Sequence, residues 1–85
     1  MTYIASKHAR DACVERDIPW SAVESVLDAP EQIVAVEQSK QAYQSRVKMR
    51  GEVFLIRVIV GFGTNPPTVV TVYRTRKIAK YWSTK

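Results

Sequence analysis

The segment VFLIRVIVGF, residues 53–62, decides the fold because it is the strongest strand signal in the chain. It is rich in β-branched and aromatic residues, which are typical of strands. Successive side chains of a strand point to opposite faces. We therefore expect one face to pack on helices, and its residues are Phe54, Ile56, Val58, Val60 and Phe62. The other face holds Val53, Leu55, Arg57, Ile59 and Gly61. Because Arg57 is a charge among hydrophobic residues, we predict that this face is not covered by helices.

Turn and breaker residues on both sides of this segment predict its neighbours in the sheet. Arg50-Gly51-Glu52 reads as a hairpin turn to an earlier strand, residues 43–49, whose Tyr43, Val47 and Met49 should point inward. The Gly- and Pro-rich stretch 63–67 reads as a loop before a last strand, residues 68–73, with Val70 and Val72 as its core pair. If the strands pair in sequence order, one open face carries Arg46, Lys48, Arg57, Thr71 and Tyr73.

Helical patterns flank the strands. Apolar residues at three- and four-residue spacing predict a helix over residues 7–16, with Ser6 as its N-cap, and a second helix over about 19–28. A short strand over 32–36 follows, and residues 76–82 are compatible with a final short helix. We expect a single domain, residues 1–85, of the α+β class. In it, an N-terminal helix pair packs on one face of a twisted, mainly antiparallel four-stranded sheet, and the short helix comes last.

Charge divides the chain into two halves. Residues 1–40 carry a net charge of −3 and residues 41–85 a net charge of +8, which together give +5. A basic half predicts an anionic partner, RNA or DNA first, although a solvated cationic surface would look the same. One cysteine, no apolar leader and no apolar run of membrane-spanning length predict a cytoplasmic protein without membrane contact.

The residue types restrict the chemistry. His8 is the only histidine and the one side chain whose ordinary pKa allows proton transfer near neutrality, although it would also suit the surface of a helix. One histidine and one cysteine cannot build a zinc site, Cys13 lies on the apolar stripe, and Glu52 is the only acid of the basic half. We therefore expect no metal and no cofactor. Metal-free RNA cleavage stays open, since His, Arg, Lys and Tyr can supply the base, the charge stabilisation and the proton donor.

Three runs carry a family resemblance: SKHARDACVERDIPWSAVESVLDAPEQIV, LIRVIV and VVTVYRTRKIAKYW. Their order and spacing resemble the DUF4258 family of small bacterial proteins, which is similar to RelE/BrnT-like toxin ribonucleases of toxin–antitoxin systems. The resemblance implies a RelE/barnase-like fold and a metal-independent endoribonuclease held in check by an acidic antitoxin protein.

The resemblance also implies roles for individual residues. His8 would be the general acid or base, Arg57 would stabilise phosphate charge, and Tyr73 would stack a base or donate a proton. The expected substrate-binding residues, from the open face and the resemblance together, are Arg16, Arg46, Lys48, Thr71, Lys77 and Tyr81. Two alternatives remain: a non-catalytic module of the same fold that binds RNA or a protein, and a small protein whose basic face docks an acidic peptide.

Overall fold

The computed structural model describes residues 2–84, which form one five-stranded mixed sheet and three helices. The strands are β1 (Ile4–Ala5), β2 (Gln32–Glu37), β3 (Lys40–Met49), β4 (Glu52–Gly61) and β5 (Thr68–Thr75). The helices are α1 (Lys7–Glu15), α2 (Trp20–Asp28) and α3 (Ile78–Tyr81). The order across the sheet is β1-β5-β4-β3-β2, so the segment with the strongest strand signal is the central strand. The α+β class is confirmed.

The hairpin between β3 and β4 forms as the sequence predicts. Met49 pairs with Glu52, which leaves a two-residue turn of Arg50 and Gly51 with φ angles of 53° and 80°. Two successive positive φ angles are typical of the type I′ turn, whose twist matches that of the flanking strands. The turn therefore fixes the register in which Gln44 lies opposite Arg57.

The four-stranded, mainly antiparallel sheet was incomplete as a prediction, because β1 adds a fifth strand that runs parallel to β5. Ile4 pairs with Thr68 and Ala5 with Val69. Two residues are too few to show a period of two, and both also fit the apolar stripe of the helix that follows. Beyond Val69, β5 has no strand on its outer side among the described residues, so this edge of the sheet is free.

The core lies between the helix pair and one face of the sheet. Ile56, Val58 and Val60 are completely buried there, as their alternation predicts. From the helices come Ala9, Cys13, Val23, Val26 and Leu27. Burial raises the pKa of the Cys13 thiol, which fits the predicted core position.

A β-bulge corrects the prediction for β5. Val60 pairs with Val69, whereas Ile59 pairs with Thr71, so Val70 has no residue opposite it. Val69 and Val72 are therefore the buried pair, and Val70 is only half-buried. Strict alternation cannot detect an extra residue in one strand.

The second face of the sheet is not open. Arg57 is only 8% exposed, because residues of the C-terminal segment, defined here as residues 77–83, lie over it. The expected helix over 76–82 is reduced to the four residues of α3, and this helix lies on the face opposite α1 and α2. In residues 2–84, no helix has the length and apolar character needed to cross a bilayer.

Candidate functional site

A cavity of about 460 Å³ lies where the end of α1 meets the start of β4 and the end of β5. Its lining holds three arginines, one carboxylate, one phenol and one apolar ring: Arg16, Arg74, Arg76, Glu52, Tyr73 and Phe54. We call it the arginine cleft. Its volume falls within the range of about 300–1,000 Å³ that is usual for ligand sites.

Arg16 joins the helix layer to the free edge of β5. It is the C-cap residue of α1, and its guanidinium donates to the carbonyl oxygen of Val72 at 2.9 Å and to Thr71 Oγ1 at 3.4 Å. The outer side of β5 is available because β1 pairs only with Thr68 and Val69. Arg16 thus supplies a donor to an edge that lacks a neighbouring strand, and the residue remains exposed.

Arg74 faces the helix side of β5 and closes the cleft from there. Its guanidinium lies 4.4 Å from the centre of the Phe54 ring, and its Nε donates to the carbonyl oxygen of Arg16 at 2.8 Å. The last strand was expected to end at residue 73, but β5 continues to Thr75 and so includes Arg74. These contacts hold two guanidinium groups beside one cavity.

The third arginine of the cleft is paired with its carboxylate. Arg76 donates to Glu52 Oε2 at 3.1 Å, and the two side chains are 71% and 52% exposed. An exposed ion pair contributes only about 0–1 kcal/mol to stability, so both groups remain available to a ligand. The antiparallel pairing of β4 with β5 brings them together, because Glu52 begins β4 beside the end of β5.

Tyr73 belongs both to the arginine cleft and to a buried polar network. Its hydroxyl accepts a hydrogen bond from Arg57, and Arg57 Nε donates to Gln44 Oε1 at 2.8 Å. The Arg57 guanidinium lies 4.5 Å from the ring centre of Tyr81 and 5.6 Å from that of Tyr73. The strand register produces this grouping, since Arg57 lies opposite both Gln44 and Tyr73.

Polar contacts hold the C-terminal segment over this network. Gln44 Nε2 donates to the carbonyl oxygen of Tyr81 at 3.1 Å. Gln32 and the backbone of Ser83 exchange two hydrogen bonds, of 2.5 and 3.0 Å. The helix of the segment contains no fully buried residue. The segment therefore rests on the sheet through these hydrogen bonds, through the edge-to-face contact of Tyr81 with Tyr73 and through the contact of Tyr81 with Arg57.

The structure brings some of the predicted site residues together. Arg57, Tyr73 and Tyr81 form one cluster, and Arg16 with Thr71 lies beside it at the edge of β5. The shared orientation of Arg57 and Tyr73 on one face of adjacent strands is as predicted.

Other predicted residues lie apart from this cluster. His8 is exposed on α1, which packs on the opposite face of the sheet, so it is not within reach of Arg57 and Tyr73. Arg46 is engaged by Glu31 through Nε at 3.1 Å and through Nη2 at 2.9 Å, and it stacks on Trp82. Lys48 and Lys77 are exposed, and neither lines the arginine cleft.

Sequence reasoning missed three parts of the site. Arg74 and Arg76 line the cleft but were not among the predicted site residues, and Glu52 was noted only as the one acid of the basic half. Gln44, the completely buried partner of Arg57, was also not predicted. A glutamine directly opposite an arginine in the hairpin register was the available signal for this pair.

The comparisons with known proteins agree with the family resemblance and go no further. Residues 5–74 match the family model DUF4258, described as a domain of unknown function. Neither a curated protein nor a solved structure matches the chain. Since the match spans most of the sequence, the chain belongs to the DUF4258 family.

Proposed function

We propose that the protein is a metal-independent endoribonuclease whose site is the arginine cleft. The observation that supports this proposal is the convergence of three guanidinium groups, a phenol and one carboxylate on a single cavity. Arginine binds phosphate through paired N–H donors and keeps its charge at any physiological pH. The remaining groups are of the types that transfer protons.

The arginines bind and stabilise the phosphodiester. Arg16 is held beside the cavity by the carbonyl oxygen of Val72. Arg74 is held there by the Phe54 ring and by the carbonyl oxygen of Arg16, so both guanidinium groups are oriented before RNA arrives. Preoriented donors stabilise the charge that develops on a phosphorane without a reorganisation cost during the reaction. The ring of Phe54 offers an apolar surface beside these charges.

Glu52 and Tyr73 supply the proton transfers. The Glu52 carboxylate accepts the proton of the ribose 2′-hydroxyl as its oxygen attacks phosphorus. The bond from phosphorus to the 5′-oxygen breaks, and Tyr73 gives its proton to that leaving oxygen. The products are a 2′,3′-cyclic phosphate and a free 5′-hydroxyl, and exchange with water restores both side chains.

Arg57 acts in this proposal as a positioning residue. Its hydrogen bond occupies an acceptor site of the Tyr73 oxygen, so the phenolic proton remains available for donation. The nearby cation also stabilises the negative charge that remains on the oxygen after the proton has left. His8 has no part in the chemistry, because it lies in the first turn of α1 and does not line the arginine cleft.

The biological setting proposed is that of a cytoplasmic toxin with an acidic antitoxin protein, on a RelE/barnase-like fold. The resemblance to RelE/BrnT-like toxins and the basic second half of the chain support it. Expression of the protein alone should arrest growth, and a Glu52→Gln/Tyr73→Phe variant should not. Normal growth with abundant intact protein would count against a toxin.

The biochemical test is cleavage of single-stranded RNA by the purified protein in EDTA. Glu52→Gln and Tyr73→Phe should each lower kcat by about 100-fold or more, as expected for the loss of a general acid or base. Glu37→Gln is the matched control, because this exposed carboxylate pairs with Lys40 away from the arginine cleft. Equal loss in the control, or activity that EDTA removes, would refute the proposed site.

A non-catalytic RNA-binding module is the second candidate. The burial of Arg57 favours it, because this predicted catalytic group has no access to substrate in the described conformation. Binding of RNA with a strong salt dependence but without cleavage, weakened by Arg74→Gln and not by Arg10→Gln, would establish this alternative.

A further inference from the structure

Arg57 is a buried cation whose hydrogen-bond partners are neutral. It is 8% exposed, and its guanidinium donates to Gln44 Oε1 and to the Tyr73 hydroxyl. Burial of a charge is costly unless an opposite charge or strong hydrogen bonds compensate for it. Two aromatic rings offset part of this cost, since a guanidinium over a ring face is attracted by the quadrupole of the ring. An anion would compensate this cation better than its present surroundings.

The cover over Arg57 is short and makes several polar contacts with the sheet. The C-terminal segment contacts the network through the carbonyl oxygen of Tyr81, the backbone of Ser83 and the ring of Tyr81. The helix within it has four residues, none of them buried. Separation of the segment would let water satisfy the freed backbone groups, but it would also expose apolar surface, because Ile78, Tyr81 and Trp82 are half-buried. We therefore expect the lifted state to be a minor population that RNA binding favours.

We infer that the C-terminal segment covers a second anion-binding subsite, formed by Arg57, Gln44 and Tyr73, which takes a further phosphate of the RNA strand when the segment lifts. The inference rests on the proposed function for the identity of the ligand. Tyr73 lines the arginine cleft and also contacts Arg57, so the two subsites are adjacent along one path. On lifting, Gln44 Nε2 loses the carbonyl acceptor of Tyr81 and becomes a donor for a phosphate oxygen.

The chemistry of the subsite favours a phosphate over a carboxylate side chain. The guanidinium and the amide of Gln44 supply several N–H donors around one point, which suits an anion with three or more acceptor oxygens. The segment acts as an autoinhibitory cover in this arrangement, since its backbone carbonyl and ring occupy the positions that the phosphate would take.

The test uses the full chain and loosens the cover by point substitution. Gln32→Ala/Tyr81→Ala removes both hydrogen bonds to Ser83 and the ring over Arg57. The probe is a 2′-O-methylated oligonucleotide, which lacks the attacking hydroxyl. A plot of the logarithm of the binding constant against the logarithm of the salt concentration becomes steeper by about 0.7 for each additional phosphate contact on a single strand. We expect that change in the variant and not in Gln38→Ala, a matched control in the exposed turn after β2.

Two further measurements keep the inference separable from the proposed nuclease. In the background of Arg57→Met, the loosened variant should show the same salt slope as Arg57→Met alone. Titration of inorganic phosphate should shift the Arg57 Nε–Hε NMR signal in the loosened variant and not in the wild type, whether or not the protein cleaves RNA. Unchanged slopes with an unshifted signal would overturn the inference, and so would weaker oligonucleotide binding by a folded loosened variant. If the double variant does not fold, Gln32→Ala alone provides the same comparison with Gln38→Ala.

Discussion

Tyr73→Phe is a direct test of the buried network, because it deletes one oxygen and keeps the ring. The lost hydroxyl accepts a hydrogen bond from Arg57, which is 8% exposed. A hydrogen bond to a charged group contributes about 1.5–3 kcal/mol, and removal of one partner leaves the other unsatisfied. Tyr73 is itself half-buried, so water can partly replace the lost oxygen. We therefore expect a loss of about 1.5–2 kcal/mol in the free energy of unfolding, near the lower end of that range.

Urea denaturation followed by tryptophan fluorescence measures this loss. With a slope of about 1 kcal/mol per molar urea, the midpoint should fall by about 1.5–2 M. The melting temperature should fall by roughly 6–16 °C, since 1 kcal/mol corresponds to about 4–8 °C for a domain of this size.

Tyr81→Phe is the matched control for this substitution. It makes the same chemical change on the other tyrosine of the cluster, whose ring and backbone carbonyl contact the network. Tyr81→Phe should change the free energy of unfolding by no more than about 0.5 kcal/mol. In a double-mutant cycle with Arg57→Met, the coupling between positions 57 and 73 should account for most of the Tyr73→Phe loss. Equal, small effects of Tyr73→Phe and Tyr81→Phe, or no coupling to position 57, would refute the reasoning.

Three further predictions concern other parts of the molecule. Hydrogen bonds from Arg46 lower the pKa of Glu31 from 4.5 to about 2, so the carboxylate contributes stability above pH 4.5 that is lost as the pH falls toward 2. Glu31→Gln should therefore flatten the pH dependence of unfolding in that window, to a small extent because the pair is solvent-screened. Gly51→Ala should cost about 1 kcal/mol or more, because φ is +80° at this turn position. His8→Ala should leave RNA cleavage within about twofold of the wild-type rate, since it lies away from the arginine cleft.

Each of these predictions has a result that contradicts it. An acid titration in which wild type and Glu31→Gln unfold with the same pH dependence would show that the ion pair is broken in solution. Chemical denaturation in which Gly51→Ala matches the wild type would show a different turn. A loss of about 100-fold in cleavage by His8→Ala would place the catalytic centre at the first turn of α1 instead of the arginine cleft.

Period-two alternation predicted most of the sheet. It placed Ile56, Val58 and Val60 in the core and Arg57 with Tyr73 on the other face, because central strands with one buried face show this signal most clearly. The positive-φ turn at residues 50–51 was also readable, since Gly51 follows a clear strand. Local sequence is sufficient for these features.

The features that alternation missed depend on contacts distant in sequence. The parallel pairing of β1 joins residues 4–5 to 68–69, and the bulge at Val70 needs only one extra residue, so neither leaves a local pattern. The cover over Arg57 depends on Gln32 and Gln44 reaching the backbone of residues 81–83. Such polar contacts produce no periodic pattern in the sequence. The sequence therefore predicts an open face where the structure has a covered one.

Folding also redistributes the charge segregation of the sequence. Acids of the first half pair with cations of the second, as Glu31 does with Arg46 and Asp17 with Arg50. These pairs neutralise part of the basic half, which is why a count of +8 overstates the charge available to a ligand. Arg16 and Arg74 instead take backbone carbonyl oxygens as hydrogen-bond acceptors, which leaves their charge uncompensated beside the cavity. Affinity for a polyanion should therefore depend on these two residues more than on the net charge of the protein.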